Sequence, residues 1–600
     1  MRDDRVELRR GTVKSGQKAI DSCLTFLCLK TRTLAVSRAV TIIFTLIMLS
    51  LVSPSVYGQC RLTDLLDAGV PPKFTIDKKF IHDPKGLYRF YEQRNYSPAW
   101  SNDSGLLPQV DAFVNVIGEA GREGLRPSDY HLSEIEATLE EIYQNRISKN
   151  FTNQCSLAYL DLLLTDAFLL YSSHMIKGRV RPEIIDTASL INLQEIDLTQ
   201  VLRTALDSNQ IEGTLKNLSH EQPDYTGLKH ALLLYRNIAA KGGWPAVPEG
   251  PKMEKGYYGE RSRALRQRLI VTGDLDEGLI GNEYLSDENL FDDAVEQAVR
   301  NFQRRHGLSV DGIVGPYTLA ALNVPVEERI HQLELNMERR RWLPHDLGHR
   351  YILVNIADFE LYVIEDNQTL MTMRVIVGKP FWNTPVVSAK MSYLILNPYW
   401  DIPRSIFIEE ILPKIRKDPE YLSKNNMEVL QSWGKEVKKI NPKTINWANV
   451  AKGKFNYRLR QRPGPLNPLG QIKFIFPNQF HVYLHDTTSQ NLFRSARRDF
   501  SHGCIRIEKP IDLAEYVLGG NPEWTRAKIS AIIDQRVTQT VVLPESIPVY
   551  LLYFTAWVDK DGAVQFRDDI YGRDKALDEA LRGVLLVSES SQNLQRLDPY

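Results

Sequence analysis

Apolar residues recur at spacings of three and four through most of the stretch 86–240. LPQVDAFVNVIGEAGREGL, SLAYLDLLLTDAFLLYSSHMIKGRV and GLKHALLLYRNIAAKGGW each carry the stripe of an amphipathic helix. The pattern predicts an all-helical module over 75–255, closed by the Pro- and Gly-rich run GGWPAVPEGPKMEKG. Its simplest role is a scaffold that holds other parts apart. A second helical unit follows at 256–325. RSRALRQRLIVTGDL is one short amphipathic helix. LFDDAVEQAVRNFQRRHGL is another, with Val295, Ala298, Val299 and Phe302 on one face. In SVDGIVGPYTLAALNV, Asp311-Gly312 and Gly315-Pro316 make tight turns, and Pro316 suits the first turn of a third helix.

Beyond VEERIHQLELNMERRRWLP the pattern changes to strands. YILVNIADFELYVIE reads as two alternating stretches broken by Ala-Asp, as in a hairpin. TLMTMRVIVGKPFWNTPVVSAKMSYLILNPYWDIP and IKFIFPNQFHVYLHD continue in strands. Between them, 405–467 is a polar, helical insertion containing IFIEEILPKIRKDPEYLSKNNMEVL. The helix IEKPIDLAEYVLGG and strands in QTVVLPESIPVYLLYFTAWVD complete a β-rich unit over 349–555. The stretch 556–600 reads as a helical tail with a polar end. The expected fold class is multidomain α+β: a helical scaffold, a small three-helix domain and a β-rich domain with a helical insertion.

Six hundred residues exceed one hydrophobic core, in keeping with several domains. Lys+Arg and Asp+Glu both number 74, and this balance points to no nucleic acid partner. The N-terminus changes the picture. Residues 1–38 are a basic leader with nine Lys/Arg against four Asp/Glu, and 39–60 carries no charge. The apolar heart, 39–52, is shorter than the roughly 20 residues of a spanning helix, but extended to residue 56 it just crosses. The basic flank keeps the leader cytoplasmic and sends the rest out. Val56-Tyr57-Gly58 also forms a small-residue cleavage site. The segment 39–58 is thus a signal anchor, the preferred reading, or a cleaved signal peptide. In both cases everything after about residue 60 is exported.

The five cysteines, Cys23, Cys28, Cys60, Cys155 and Cys504, form no disulfide framework and no CxxC zinc motif. Cys60 and Cys155 are free to pair on the oxidising side, though no pairing is assigned. Cys504 lies in FSHGCIRI, downstream of YLHD. If 480–485 is a strand, His481, Tyr483 and His485 share one face while Val482 and Leu484 face the core. His485 then sits at a strand end, where loops meet substrates. Cys504 is either a core thiol or a nucleophile with a histidine as its base. A cationic neighbourhood of Arg494, Arg497, Arg498 and Arg506 would favour its thiolate. Gly503 leaves room for a substrate backbone and lets successive N–H groups converge on an oxyanion, worth roughly 3–4 kcal/mol.

Two runs resemble known families. AVRNFQRRHGLSVDGIVGPYTLAALN resembles the three-helix peptidoglycan-binding domain of wall enzymes. His485-Asp486 followed by Ser501-His502-Gly503-Cys504-Ile505-Arg506 resembles the signature of the L,D-transpeptidase, or YkuD, catalytic domain. Gly378, Lys379, Thr384 and Pro385 fit its VGKxxxxTP segment. The module order over 75–560 is similar to that of the large periplasmic L,D-transpeptidases of Gram-negative bacteria, the YcbB type.

The resemblance implies roles. Cys504 is the acylated nucleophile and His485 its base, with His502 as the competing base. The Asp486 carbonyl orients the imidazole. His502 and Gly503 frame the oxyanion site, Ser501 belongs to the signature, and Arg506 holds the loop or a substrate carboxylate. Tyr399, Trp400 and Tyr483 wall the acyl pocket, and 405–467 is its lid. The implied reaction releases D-alanine from a tetrapeptide stem and forms a 3→3 cross-link, without metal or organic cofactor. The implied partners are peptidoglycan stem peptides and glycan strands, carbapenem inhibitors, the inner membrane through the N-terminal segment, and other wall-synthesis proteins. The alternatives are an L,D-carboxypeptidase, a wall–lipoprotein ligase or hydrolase on the same thioester, or a non-catalytic peptidoglycan-binding protein.

Overall fold

The computed structural model describes residues 62–583 apart from 68–74, 77–78, 148–153, 186–195, 220–221, 277–286, 434–435, 451–456 and 520. The basic leader and the 39–58 segment lie outside the described residues.

Helices α1 (Pro84–Glu92), α2 (Gln109–Gly118), α3 (Leu132–Ile147), α4 (Gln154–Lys177), α5 (Leu198–Asp207) and α6 (Ile211–Leu218) share one core. Phe90, Tyr91, Trp100, Phe113 and Phe168 are fully buried in it. The stretch Cys155–Lys177 is long and apolar enough to cross a membrane, but it is largely buried as the central helix of this core. Cys155, near the start of α4, is disulfide-bonded, while Cys504 is free.

Asp166 on α4 ties the region together. Its carboxylate accepts from the His82 and Asp83 backbone amides at 3.0 and 3.1 Å, and from His82 Nδ1 at 3.0 Å and His131 Nε2 at 2.8 Å. Burial alone would raise its pKa. The bonds from His131 and His82 outweigh burial and bring it down to about 2.

Helix α7 (Pro223–Ala240) leaves this core and packs elsewhere. Helices α8 (Glu260–Val271), α9 (Asp293–Arg305) and α10 (Pro316–Leu322) form a small unit around Leu265, Leu269, Val295, Val299 and Phe302. The buried Gln303 amide fastens its turn, accepting from Gly312 N at 2.9 Å and donating to Asp311 Oδ1 at 2.7 Å. Helix α11 (Val326–Arg341) joins the parts. Its Glu338 accepts from Val180 N at 2.9 Å, its Arg341 donates to the Tyr225 hydroxyl at 2.9 Å, and its Asn336 exchanges hydrogen bonds with Thr555.

The C-terminal part is built from β1 (Arg350–Asn355), β2 (Glu360–Glu365), β3 (Gln368–Gly378), β4 (Val387–Leu396), β5 (Trp400–Asp401), β6 (Met427–Trp433), β7 (Glu436–Ile440), β8 (Arg458–Gln461), β9 (Ile472–Ile475), β10 (Leu484–His485), β11 (Asp499–Ser501), β12 (Ile505–Ile507) and β13 (Gln539–Leu552). One sheet runs in the order β11-β3-β12-β10-β9-β4-β13-β1-β2, and β2 also pairs with β3, so the sheet closes on itself. β10–β12, β13–β1 and β11–β3 are parallel, and the other pairs are antiparallel. Alternate side chains such as Val354, Leu361, Val375, Leu394, Phe474, Leu484, Ile505 and Val549 fill one core, covered in part by α12 (Pro510–Leu518) and α13 (Arg526–Asp534).

Two expectations need amending. The insertion is helical only in part, at Arg404–Ile406, Phe407–Ile411, Leu412–Lys417 and Tyr421–Lys424. It also holds a four-stranded antiparallel sheet, β7-β6-β8-β5, because MEVLQSW and EVKKI pair as a hairpin. The stretch FHVYLHD is a strand only at its end. Asn478 Oδ1 accepts from Phe480 N and Val482 N, and His481 turns at φ 53°, so the ladder starts at Leu484. The C-terminal stretch forms a hairpin, β14 (Ala556–Val558) with β15 (Val564–Phe566), before helix α14 (Arg573–Leu581).

Asp166→Ala leaves four donors without their acceptor and should lower the stability of the helical region by about 3 kcal/mol in urea unfolding. The native pKa of Asp166 lies below the ordinary 3.8, so its ionic contribution is complete above that value and is lost as pH falls through about 2. The gap between wild type and variant should therefore shrink between pH 5 and pH 2.5. A gap independent of pH would contradict this account.

Candidate active site

The parallel pairing of β10 with β12 sets Leu484 opposite Ile505 and His485 opposite Arg506. Leu484 and Ile505 both point into the core. Their neighbours Tyr483, His485, Cys504 and Arg506 therefore share the opposite face. On the other side of β10, β9 sets Lys473 opposite His485, with Ile472 and Phe474 in the core. One row thus reads Lys473, His485, Arg506 across three strands about 4.8 Å apart. Cys504 lies in the next row, a diagonal neighbour of His485 at about 7–8 Å between backbones.

The loop carrying Cys504 is clamped. Ser501 Oγ donates to the Cys504 carbonyl at 2.6 Å and accepts from Gly503 N at 3.1 Å. Gly503 N–H is therefore engaged, which removes one of the converging donors expected at the thiol. Gly503 has φ 109°, a conformation that favours glycine. Gly378 packs against it: a Cβ on Gly378 would stand 1.8 Å from the Trp382 carbonyl oxygen and 3.0 Å from Gly503 Cα. Thr384 Oγ1 accepts from Gly378 N at 3.0 Å and donates to the Gly503 carbonyl at 2.8 Å. The C-terminal stretch braces this cage: Tyr571 hydroxyl donates to Gly378 O at 2.6 Å and Arg573 Nη2 to Thr384 O at 3.0 Å.

His485 is buried, and its Nδ1 lies 2.5 Å from the Asp486 carbonyl oxygen. A carbonyl only accepts, so Nδ1 carries the proton and Nε2 keeps its lone pair. The Asp486 side chain turns away and accepts from Gln471 N at 2.8 Å and Thr487 N at 2.7 Å. Burial, then the Arg506 charge, pushes the His485 pKa down to about 3. Burial likewise pushes the Cys504 thiol above its ordinary value. Contacts from Tyr483 and the charges of Lys473 and Arg506 oppose this but do not win. The cationic neighbourhood read from the sequence is thus only partly present: Arg506 faces the sulfur, whereas Arg497 pairs with Asp499 and Arg498 with Glu360. The Cys504 Sγ lies 4.0 Å from the His481 carbonyl.

The insertion reaches this face. Its π-helical turn Phe407–Ile411 presents Glu410, whose Oε1 lies 2.6 Å from His502 Nε2, and the His502 ring stands edge-on to Trp382 at 5.3 Å. Tyr399 and Trp400, the pocket walls expected from the sequence, precede Asp401, whose charge acts on Lys473 and Tyr483. Arg460 stacks on the Tyr399 ring at 4.0 Å, and Trp400 packs against the insertion's own core. A cleft of about 730 Å³ lies on the far side of Asp486, lined also by Gly470, Gln471, Thr487 and Lys509; Cys504 does not line it. Lys473 escaped the sequence reading, although the alternation in IKFI already sets a lysine between two core residues. Among the described residues, His82, His131 and Asp166 bring ligand atoms within 4.8 Å of one another, a spacing a metal ion could use. They lie in the helical region, and the hydrogen bonds to Asp166 account for their convergence.

Comparison with known proteins places these features. Residues 85–232 match the family "Scaffold domain", 258–322 the "Putative peptidoglycan binding domain" and 349–537 the "L,D-transpeptidase catalytic domain". A curated relative from Haemophilus influenzae, described as "Putative L,D-transpeptidase", is 34% identical over 249 residues, 42% of this chain and 49% of the relative. The chain thus spans about half the length of that relative. Among solved structures, the L,D-transpeptidase of Xylanimonas cellulosilytica (residues 123–326) is 16% identical and covers 51% of this chain and 99% of its own, with a TM-score of 0.14. That of Stackebrandtia nassauensis is 13% identical, covers 51% and 96%, and has a TM-score of 0.19. The assignment rests on the family matches rather than on superposition. The chain is a mixed α+β protein whose residues 349–537 are an L,D-transpeptidase catalytic domain, set behind a scaffold domain and a peptidoglycan binding domain.

Proposed function

We propose that this chain is an L,D-transpeptidase that forms 3→3 cross-links in peptidoglycan, with Cys504 as nucleophile and His485 as its base. The observation that carries the reading is the shared face of Cys504 and His485 on adjoining parallel strands, with the imidazole held by the Asp486 carbonyl. His502 is the weaker base, since its Nε2 already meets Glu410.

The chemistry follows from the resting charges. With the thiol raised and the imidazole lowered, both are neutral at pH 7. The proton therefore leaves sulfur as the S–C bond forms, and His485 Nε2 receives it. The sulfur attacks the carbonyl carbon of residue three of a tetrapeptide stem. The Cys504 N–H, rather than that of Gly503, is the donor proposed for the oxyanion, worth about 3 kcal/mol. Collapse breaks the C–N bond, and His485 returns the proton to the leaving D-alanine amine. The side-chain amine of diaminopimelate on a second stem then attacks the thioester, passes its proton through His485, and restores the thiol. The reaction as written uses no metal or organic cofactor. Export past the inner membrane, with 39–58 as anchor, fits both the disulfide at Cys155 and the peptidoglycan-directed domains.

Purified protein with disaccharide-tetrapeptide should give a 3→3-linked dimer and free D-alanine, and a carbapenem should add its mass to Cys504. Cys504→Ala should abolish both, and His485→Ala should slow acylation by 10²–10⁴-fold. A tripeptide in place of the dimer would make water the acceptor and the protein a carboxypeptidase. Unchanged turnover in Cys504→Ala would exclude the enzyme reading. Alkylation of the Cys504 peptide by iodoacetamide should be slower at pH 7 than for a free cysteine and still rising at pH 9, because only the thiolate reacts. A plateau below pH 7 would instead reveal a preformed thiolate–imidazolium pair.

A further inference from the structure

A cavity of about 180 Å³ lies where three parts of the chain meet. Tyr317 and Ala320 line it from α10, His306 from the end of α9, Arg329 from the first turn of α11, and Phe566 and Asp568 from the end of β15. It is smaller than the roughly 300–1,000 Å³ of a pocket for a drug-sized ligand, so it suits one ring rather than a chain. Two of its buried side chains have hydrogen-bonding capacity to spare. Arg329 is only 8% exposed. Its Nη1 donates to Gln332 Oε1 at 2.8 Å and its guanidinium lies 4.7 Å over the Phe566 ring, but Nε has no partner among the described residues. The Asp568 charge reaches Arg329 without forming an ion pair, and burial pulls the guanidinium pKa down to about 10. His306 Nδ1 lies 2.8 Å from the Phe302 carbonyl oxygen. A carbonyl only accepts, so Nδ1 carries the proton, and Nε2 is left as an acceptor with no hydrogen bond among the described residues. An unmet donor and an unmet acceptor around one cavity are costly until something meets them. The rim differs in character: Tyr317 is 84% exposed, an aromatic face open to solvent beside those polar atoms.

We propose that this cavity is a subsite for one N-acetylated amino sugar of a glycan strand, completed only where the peptidoglycan binding domain meets the C-terminal hairpin. The acetamido carbonyl accepts from Arg329 Nε, a hydroxyl or the amide N–H donates to His306 Nε2 or Asp568, and the apolar face of the ring lies on Tyr317. The exposed carboxylate of Asp568 at the mouth disfavours the carboxylates of a stem peptide and leaves a neutral sugar as the better occupant. The interval matched to the peptidoglycan binding domain, 258–322, supplies His306, Tyr317 and Ala320, whereas Arg329, Phe566 and Asp568 lie outside it. Tyr317 and Asp568 are also within electrostatic reach of Arg497, in the loop that leads to Cys504. A sugar held here therefore lies beside that loop, on a site that the binding domain does not contain by itself.

The test titrates the full chain with chitotetraose, which carries acetamido groups and no peptide, and with cellotetraose, which has hydroxyls in their place. Chitotetraose should bind at least about 10-fold tighter, the worth of one good hydrogen bond to a charged donor. Tyr317→Ala should weaken chitotetraose binding about 10-fold, and Tyr317→Phe should not. Ala320→Leu fills the mouth from an exposed helix position and should weaken binding by as much. Both substitutions sit at exposed positions, so both variants should melt with the wild type. Arg329→Lys keeps the charge, removes Nε and should reduce the preference for chitotetraose over cellotetraose. Unchanged chitotetraose binding in both Tyr317→Ala and Ala320→Leu overturns the proposal, as does equal binding of the two sugars or no binding to the wild type. Tighter binding of a free tetrapeptide stem, lost in Tyr317→Ala, would give the cavity to the peptide and overturn the sugar assignment. The measurement involves no turnover, so its failure leaves the transpeptidase reading standing, and failure of that reading leaves this one standing.

Discussion

Everything at the candidate site depends on one two-residue parallel pairing, Leu484 with Ile505 and His485 with Arg506. Those pairs fix which face each side chain takes. Leu484 and Ile505 anchor the register because both are fully buried in the barrel core. A slip of one residue would turn His485 and Cys504 into that core and bring the leucine and isoleucine out, at a cost of several kcal/mol of apolar burial. The hydrophobic core therefore enforces the face that His485 and Cys504 take.

The same enforcement explains the resting electrostatics. Burial dominates at both His485 and Cys504 and acts in opposite senses, keeping the imidazole unprotonated and the thiol protonated. The local cations temper this without reversing it. A thiol kept neutral is also less open to oxidation, in a chain whose Cys155 is disulfide-bonded.

Much of the fold was legible because its signals are local. The hairpin at YILVNIADFELYVIE, the three short helices around Phe302 and the helix after Cys504 all follow from periodicity and turn chemistry. Cys504 and His485 stood out in the sequence as parts of one motif. What the sequence hid is partly side-chain competition at close range and partly pairing across long stretches of chain. The strand expected at FHVYLHD is cut short because the Asn478 side chain captures Phe480 and Val482 amides, a competition that alternation alone does not reveal. The sheet within the insertion was overlooked because IFIEEILPKIRK next to it has the stronger, helical pattern. Lys473 and Glu410 belong to the site only through pairing and docking across 12 and 92 residues of chain from His485 and His502.

The brace supplied by Tyr571 and Arg573 has a consequence for modularity. The interval matching the catalytic family stops at residue 537, yet the cage around Gly503 is closed by side chains more than thirty positions later. A graft of that interval into another protein would carry over Cys504 and leave behind the groups that brace its loop. Recombination among wall enzymes, natural or engineered, should therefore respect a seam beyond α14 rather than the end of the recognisable domain.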